Sequence, residues 1–378
     1  MVYLIPHIQR PSDLGIAAEL FCVGAAGLPR GANVPFGPVA TPRVREPHHM
    51  RVDRELVQRV MAMRLSERTH LPYLGLSLAI GVGVGASLYA VTVTDNWLFQ
   101  LGNAVFLAFW LVQAGMLAHD LYHLQVFFSQ RANRLCGAIM FSLCAGVCGE
   151  GWYALHSKHH VFVNNAKHDS DLDMPFIFSG HQLSEKPAAV LKCVLPVQHW
   201  LFFATLPLVY LYLKVWSLVY ISKNRTPGTL LESVLIAIHT AVLVGMPFWF
   251  LPPFTAVLFL LVLGATAGIY AGTVFAPNHK GMAIVTGDQP ASWQQQIVLT
   301  RNLRPGWIRF ILLGAVHYQI EHHLFPSMSR FNQARIHHVV KQFCAERGLP
   351  YHECGYFSSM YAIFVALKRE ALLHTKGA

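Results

Sequence analysis

Histidines spaced for metal binding occur at four places in this chain of 378 residues. The first pair, His119 and His123, directly follows a long apolar segment. A spacing of four residues puts both imidazoles on one face of a helix, where they can bind the same metal ion. Taken alone, the pair also fits two hydrogen-bonded side chains at a membrane surface.

The second motif, at residues 156–160, has the sequence HSKHH. Its histidines, His156, His159 and His160, follow one another at helical spacing and share one flank of a helix. Three histidines in this pattern rarely arise by chance. We therefore interpret the segment as a metal-binding motif.

The third motif, QIEHH at residues 319–323, repeats this spacing with Gln319 in place of the first imidazole. Its histidines are His322 and His323. His317 precedes the glutamine by two residues, a spacing that points a helical side chain away from its neighbour's face. We therefore expect His317 to face away from any metal that the motif binds.

A fourth contributor is the pair Asn278 and His279, at the end of another apolar segment. A polar helix end among lipid headgroups would explain this pair on its own. All four groups, however, follow a predicted membrane span or lie in the polar segment after one. We therefore predict that they meet beneath one helical bundle, at the same membrane face.

Together the four groups provide eight imidazoles and no thiolate. The absence of cysteine ligands excludes an iron–sulfur cluster, and a structural zinc ion needs only four ligands. Imidazole suits iron, copper or zinc, and eight ligands imply two metal ions. Soluble di-iron proteins use mainly carboxylates, which are few here. The remaining interpretation is a di-iron centre with nitrogen ligands, a type of site that can bind and reduce O2.

The composition predicts a membrane protein. Hydrophobic residues make up 54% of the chain and charged residues 13%, with a mean hydropathy of +0.39, whereas soluble domains have roughly 25% charged residues. The net charge of +10 includes no long basic run, so we expect contact with anionic lipids and no nucleic acid. Seven scattered cysteines, an odd number, favour a reducing compartment.

The predicted fold is an all-α polytopic membrane protein with four transmembrane helices and a cytoplasmic helical cap that holds the metal site. A span takes roughly 20 apolar residues, and the predicted spans are 71–93, 97–118, 229–250 and 254–276. They belong to one domain, residues 50–378. Residues 1–49 are rich in Pro, Gly and Ala without a hydrophobic period, which predicts a disordered extension.

Loop charges predict the orientation. Five arginines between residues 51 and 68 precede the first span, and Lys223 and Arg225 precede the third. Basic residues concentrate in cytoplasmic loops, so these sides and the histidine-bearing face are predicted to be cytoplasmic. Segment 198–221 must then return to the face where it begins, and we predict that it is interfacial or re-entrant. Segments 135–149 and 356–367 are short and are predicted to lie at the interface.

Gly81, Gly83 and Ala86 match a dinucleotide-binding pattern, but they lie inside the first span without a preceding strand. A nucleotide cofactor is therefore not expected. We interpret Gly81 and Gly85, four residues apart, as a place of close helix packing in lipid.

Four motifs in this order resemble those of the membrane fatty acid desaturase family: HDLYH at 119–123, HSKHH at 156–160, FAPNHKGM at 275–282 and HYQIEHHLFPSM at 317–328. The resemblance covers residues from about 60 to 370. It implies a di-iron centre and O2-dependent desaturation of a fatty acyl chain, usually to a cis double bond. The matching positions imply the ligands His119, His123, His156, His159, His160, His279, His322 and His323.

Other residues are candidates for supporting roles, and no catalytic residue beyond the metal centre is expected. Gln319 stands where relatives often have a further histidine, and a glutamine at this position is the pattern of front-end desaturases and several bacterial acyl desaturases. It is a possible extra ligand or a residue that orients one, and Asn278 is a second such candidate. Trp152 is a candidate to line a narrow apolar tunnel, which would hold the acyl chain beside the metals.

Acidic residues near the histidines are candidates to accept hydrogen bonds from the ligand imidazoles. Asp120 lies within the first motif, and Asp169 follows the second. Asp171 and Asp173 follow in turn, although they fit solvated loop acids at least as well.

The expected partners are an acyl-CoA or acyl-lipid substrate, membrane lipid and a separate electron donor. Front-end members of the family commonly have a fused cytochrome b5 domain, but residues 1–70 contain no HPGG haem motif. Neither end has a ferredoxin cysteine pattern. We therefore expect electrons from a separate ferredoxin, cytochrome b5 or flavoprotein reductase.

Two alternatives stay open. A related hydroxylase, acetylenase or epoxygenase would use the same metals on acyl chains, since only the fate of the substrate radical differs. A histidine-rich metal transporter is a remote alternative, because transport sites lie near the bilayer midplane and these histidines follow helix ends.

Overall fold

The computed structural model describes residues 52–65, 69–172, 177, 191, 193–314 and 316–375. The described residues are largely helical and include a single two-stranded sheet. The protein is therefore an all-α polytopic membrane protein, as predicted. The extension predicted at 1–49 lies outside the described residues.

The helices fall into a membrane part and a polar part. Among the described residues the helices begin, in chain order, with α1 (Arg54–Ala62), α2 (His70–Val93), α3 (Trp97–Tyr122), α4 (Gln130–Ala138), α5 (Gly149–Val161), α6 (Gln198–Thr205), α7 (Val209–Lys223), α8 (Pro227–Phe250) and α9 (Pro253–His279). They continue with α10 (Trp293–Val298), α11 (Trp307–Leu312), α12 (Gln319–Leu324), α13 (Arg330–Glu346) and α14 (Tyr356–Thr375).

The four predicted spans coincide with α2, α3, α8 and α9. Helix α3 begins where the Asn96 side chain accepts a hydrogen bond from the Phe99 amide, and Thr226 caps α8 in the same way. At their other ends α3 and α9 extend beyond the predicted spans, to Tyr122 and His279. Each extension therefore carries a candidate metal ligand on a rigid helix.

A fifth described segment, Leu195–Lys223, is also long and apolar enough to cross a membrane. It is the segment predicted to be re-entrant, but the structure has it as one helical segment of 29 residues, which tightens into a 3-10 turn at Leu206–Leu208 around Pro207. At this turn the carbonyls of Leu206 and Pro207 lie against Gly268 of α9, about 16 Å along the helix from His279. Helix α7 then leads into α8. The length of the segment does not support the re-entrant interpretation, and the number of spans stays a prediction.

A broken helix leads to the second histidine motif. Helix α4 continues as a π-helical turn, Ile139–Ala145, and ends at Gly146 with a φ of 69°, a conformation that glycine adopts readily. Helix α5 then departs at a bend of 111°. The segment 135–149, predicted to lie at the interface, contains this break. Its depth in the bilayer stays a prediction.

Helix α3 is the centre of the membrane part and packs against both α2 and α9. Its buried Leu107 and Leu111 share a core with Phe259 of α9, and Gln113 donates a hydrogen bond to the Tyr270 hydroxyl at 2.8 Å. The two helices run in the same direction. Their packing therefore brings the histidine at the end of α3 close to the histidine at the end of α9.

The polar helices form a second core. Leu56 of α1, Ile320 of α12 and Ile336 of α13 are fully buried there. Strand β1 (Asn302–Leu303) pairs in parallel with β2 (Glu353–Cys354). These contacts support α12, which carries the third motif. That these helices form a cytoplasmic cap stays a prediction.

One expectation about glycine packing was wrong. A β-carbon at Gly81 or Gly85 would meet no atom within 4 Å, so neither glycine lies in a close helix contact among the described residues. Gly83 does, because the Trp110 ring of α3 lies where its β-carbon would be. The sequence spacing of four matched a known packing pattern, but α2 meets α3 with the opposite face, the one that carries Gly83.

The predicted topology can be tested by cysteine labelling in intact cells. In a chain cleared of other cysteines, we expect Cys193 and a Lys223→Cys variant to react only from the cytoplasmic side, because the segment between them is predicted to return. An Asp95→Cys variant, in the α2–α3 turn, should react from outside. Reaction of positions 193 and 223 from opposite faces would contradict the re-entrant interpretation.

Candidate metal centre

The ends of four elements deliver the predicted ligands to one place. His119 lies in the last turn of α3 and His123 caps that helix, and their ring centres are 4.6 Å apart. Helix α5 carries the second motif, α9 ends at His279, and the short helix α12 carries the third motif. The expected helical spacing within each motif is therefore present.

The histidines form two adjacent groups. In the first group, each of His119, His123, His156 and His322 offers a ring nitrogen, and these atoms lie within 4.8 Å of one another. In the second group, His159, His279 and His323 meet the same criterion.

His160 lies between the two groups. Its Nε2 atom is 3.1 Å from Nε2 of His156 and 3.1 Å from Nε2 of His322, which both belong to the first group. Its ring stacks on His323 of the second group at 4.3 Å. All eight predicted ligands are thus brought together, seven of them in two neighbouring sets of nitrogen atoms and His160 between the sets.

Hydrogen bonds on the outer side of the rings fix which nitrogen faces inward. Nδ1 of His159 lies 2.9 Å and 3.0 Å from the two carboxylate oxygens of Asp169. Nδ1 of His323 lies 2.7 Å from the Gln296 side-chain oxygen. Since a carboxylate or amide oxygen accepts, each Nδ1 carries the proton, and each Nε2 presents a lone pair to the site.

Several of the inward-facing ring nitrogens face one another or have no partner. Nε2 of His159 faces Nε2 of His279 at 3.3 Å, and among the described residues Nε2 of His119 and His323 are buried without a hydrogen-bond partner. Facing lone pairs repel each other unless a cation lies between them. The residues present therefore fit a pair of metal ions, and the all-nitrogen donor set suits iron, copper or zinc.

Burial keeps the two histidines of the third motif in the form that metals need. His322 and His323 are almost fully buried, and this burial, together with the neighbouring imidazoles, lowers the pKa of both well below its ordinary value. A neutral imidazole is the form that binds a metal ion.

Gln319 lies at the second group. Its side-chain nitrogen is 2.8 Å from Nε2 of His279, the atom that faces the site. The Asn278 amide lies 3.5 Å from the Gln319 side-chain oxygen and donates to the Val316 carbonyl at 3.1 Å. Gln319 therefore lies beside the ligand atoms, and Asn278 contacts Gln319 on the side away from His279 Nε2. Whether Gln319 binds a metal stays a prediction.

Asp120 and Asp169 each contact a ligand imidazole. Asp120 lies 3.2 Å from Nδ1 of His119, and Asp169 contacts His159 as described above. Asp171 is half-exposed and 3.6 Å from Nδ1 of His159, so it contributes at most a longer-range interaction. Asp173 lies outside the described residues.

The carboxylate of Asp120 is itself held by buried groups. It accepts a hydrogen bond from the Tyr73 hydroxyl at 2.8 Å and forms an ion pair with Arg330 of α13. Burial alone would lower the pKa of the Arg330 guanidinium, but the adjacent carboxylate raises that pKa above its usual value. Arg330 therefore stays a cation and ties α13 to the end of α3.

Trp152 lies against two ligands. Its ring stacks on His156 at 4.3 Å and meets His119 edge-on at 5.5 Å. On its other side it packs near Phe141 of the π-helical turn, at 4.9 Å. Trp152 is half-buried. This position is compatible with the predicted tunnel wall, a role that stays a prediction.

His317 lies apart from both groups. Its ring contacts Tyr318 and Phe310, at 4.1 Å and 6.2 Å between centres, and it belongs to none of the clusters of possible ligands among the described residues. Residue 317 precedes α12, which begins at Gln319. The imidazole thus faces away from the site, in the direction expected from its spacing.

No pattern in the sequence pointed to two further residues that contact ligands. Gln296 of α10 accepts from His323, as described above, and also donates to the His160 carbonyl at 2.7 Å. Gln333 of α13 approaches Nδ1 of His322 at 3.4 Å. Neither stands in a histidine motif, and a glutamine on a polar helix has no spacing that distinguishes it.

The comparison with known families agrees with this geometry. The family model described as fatty acid desaturase matches residues 95–355, which include all eight histidines. The chain belongs to the fatty acid desaturase family. This confirms the resemblance inferred from the histidine motifs.

Relatives of this desaturase family chain come from several kingdoms. It is 31% identical to the Delta(5) fatty acid desaturase fat-4 of Caenorhabditis elegans, over 70% of this chain and 62% of the relative. It is 28% identical to an acyl-lipid (9-3)-desaturase of Physcomitrium patens, over 79% and 59%, respectively. It is 26% identical to the fatty acid desaturase 2-like protein FADS2B of Mus musculus, over 85% and 66%. The chain thus spans about three fifths of the first two relatives.

The two positions His322 and His317 provide a matched test of the site. We expect His322→Ala to lower metal affinity at least tenfold, because losing a ligand should cost more than losing an outer-shell contact. His317→Asn should keep the wild-type metal content, since its ring lies outside both groups. Elemental analysis of the purified, folded variants measures both. Loss of metal from His317→Asn alone would contradict the assignment.

Proposed function

We propose that the protein desaturates fatty acyl chains in an O2-dependent reaction at a di-iron centre and introduces a cis double bond. The observation that carries this proposal is the pair of adjacent, buried imidazole groups in a chain of the desaturase family. The proposed ligands are His119, His123, His156, His159, His160, His279, His322 and His323.

The overall reaction balances without further reactants. Two adjacent methylene groups lose two hydrogens, O2 and two supplied electrons with two protons are consumed, and the products are a C=C bond and two water molecules. When bound, two irons with nitrogen ligands supply the redox chemistry that reduces O2 and oxidises the acyl chain. The protein residues bind and orient these participants.

The first task of the protein is to hold the ligands in a single arrangement. Asp120, Asp169 and Gln296 fix the rings of His119, His159 and His323 through their Nδ1 atoms. Such outer contacts set the ring orientation and the basicity of the ligating nitrogen. We propose that Gln319 acts as a further ligand or orients His279.

The second task is to exclude water and position the substrate. His159, His322 and His323 are at most 1% exposed, and this burial supports a centre from which bulk water is excluded. We propose that the Trp152 ring, which stacks on His156, forms a wall of the tunnel that aligns one C–C bond with the metals. A displacement of about 1 Å in such an arrangement costs reactivity.

The substrate is proposed to be an acyl chain drawn from the membrane, carried on CoA or on a lipid. The relatives are named for different positions, such as Delta(5) in Caenorhabditis elegans and Delta(8) in Euglena gracilis. Family membership therefore supports desaturation without fixing the double-bond position. The cytoplasmic location of the site and the separate electron donor, a ferredoxin, cytochrome b5 or flavoprotein reductase, also stay predictions.

Product analysis in a host of known lipid content tests the proposal. We expect expression to add one new unsaturated fatty acid, located by gas chromatography and mass spectrometry, and purified active protein to contain about two irons per chain. A His159→Ala variant should insert into the membrane and give no product. Hydroxylated or epoxidised products would favour the alternative enzymes, and stoichiometric zinc in active protein would contradict the di-iron proposal.

A further inference from the structure

The break between α4 and α5 exposes a helix end to the interior of the helix bundle. The last carbonyls of a helix have no partner within it, and in a membrane no bulk water is present to satisfy them. Side chains from α7 and α8 supply donors for three such carbonyls. His239 donates from Nδ1 to Leu143 at 3.0 Å, and the Tyr210 hydroxyl donates to Ala145 at 2.8 Å. The Lys214 ammonium approaches the Gly146 carbonyl at 3.5 Å.

These three donors form one connected group. The Lys214 ammonium also donates to Nε2 of His239 at 2.9 Å, so the His239 ring accepts on one side and donates to Leu143 on the other. The Tyr210 and His239 side chains are about 95% buried. An ionisable side chain inside a membrane segment is costly and is usually retained for function, and here the lysine contacts a carbonyl and an imidazole.

The other arm of the break is held by the same two helices. The Cys148 amide donates to the Ser217 hydroxyl of α7 at 2.9 Å. The Glu150 amide, in the first turn of α5, donates to the Glu232 carboxylate of α8 at 3.1 Å. Backbone groups at both helix ends of the bend therefore form hydrogen bonds with side chains of α7 and α8. These two helices carry none of the proposed metal ligands.

The orientation of α5 depends on this bend. Helix α5 delivers His156, His159 and His160 to groups whose other members come from α3, α9 and α12. Gly146 is the hinge, and a β-carbon there would fall within 2.4 Å of both Lys214 and His239. The donor group thus packs directly against the residue at which the direction of α5 is set.

We propose that Tyr210, Lys214 and His239 are positioning residues that fix the angle of α5 and thereby the retention of the metal ions. The inference rests on the proposed function only in taking these ions to be iron. Loosening the helix end lets α5 move relative to α3, so that three of the eight ligands leave their places together.

The rate of metal release tests the proposal without measuring desaturation. Full-length, metal-loaded protein in detergent is mixed with an excess of a ferrous-iron chelator, and remaining metal per folded chain is followed by elemental analysis. We expect Lys214→Met to release metal about tenfold faster than wild type, at the low end of the effects of outer contacts on metal sites. Lys214→Arg, which keeps a charged donor, should stay within about threefold of wild type.

Two control variants separate positioning from general stability. Lys223→Met changes an exposed lysine of the same helix and should release metal at the wild-type rate. Phe259→Ala removes a buried ring of α9 about 30 Å along that helix from His279 and lowers the melting temperature without touching the break. Release from each variant is measured the same number of degrees below its own melting temperature. Faster release from Lys214→Met than from Phe259→Ala then supports the proposal, and equal release overturns it.

Tyr210→Phe keeps the test decisive if Lys214→Met does not fold. It removes a single hydroxyl, and we expect about threefold faster metal release, a size that fits the loss of one buried hydrogen bond. An unchanged rate in a folded Tyr210→Phe protein would overturn the proposal. Failure of wild-type protein to desaturate acyl chains would contradict the proposed function alone, because metal release does not depend on it.

Discussion

Eight imidazoles crowd into one space with ring nitrogens that face one another, and the rest of the structure depends on how this crowding is resolved. His159 and His323 cannot relieve it by turning their N–H inward, because Asp169 and Gln296 hold those protons on the outer side. Protonating the rings would place several like charges within a few ångströms of each other in a buried site, where they repel strongly. Divalent cations satisfy the same lone pairs without this repulsion, and the family to which the chain belongs agrees with that solution.

Holding such a site together is a problem of helix ends. The ligands lie at the last turn of α3, on α5, at the end of α9 and on a helix of six residues. Each end has a specific attachment: Arg330 ties the end of α3 to α13, and Asn302 of β1 ties α12 by accepting from the Ile320 amide at 2.8 Å. Helix α5 follows a sharp break, and side chains of α7 and α8 form hydrogen bonds with backbone groups on both sides of this break. Most of these attachments are buried polar contacts, whose loss is costly where water cannot substitute.

The sequence was sufficient for features that follow from local periodicity. The four apolar spans and the three histidine motifs each depend on spacings within a single helix. His317 faces away as expected, but it precedes α12, so helical spacing is not the reason for its direction. Features that depend on which helices meet were not predictable. His239 and Lys214 are separated by 25 residues and the connection between two helices, and Gln296 is an unremarkable glutamine until α10 packs beside α5. Gly83, rather than Gly81 or Gly85, contacts α3 for the same reason, since the face that α2 turns inward is decided by its partner.

We propose that the two imidazole groups hold two metal ions side by side. Anomalous scattering from crystals of the active protein, recorded on either side of the iron absorption edge, tests this directly. We expect two iron peaks, one among His119, His123, His156 and His322, the other among His159, His279 and His323, with His160 near both. A single peak, or peaks that appear only at the zinc edge in active protein, would rule out the paired iron site.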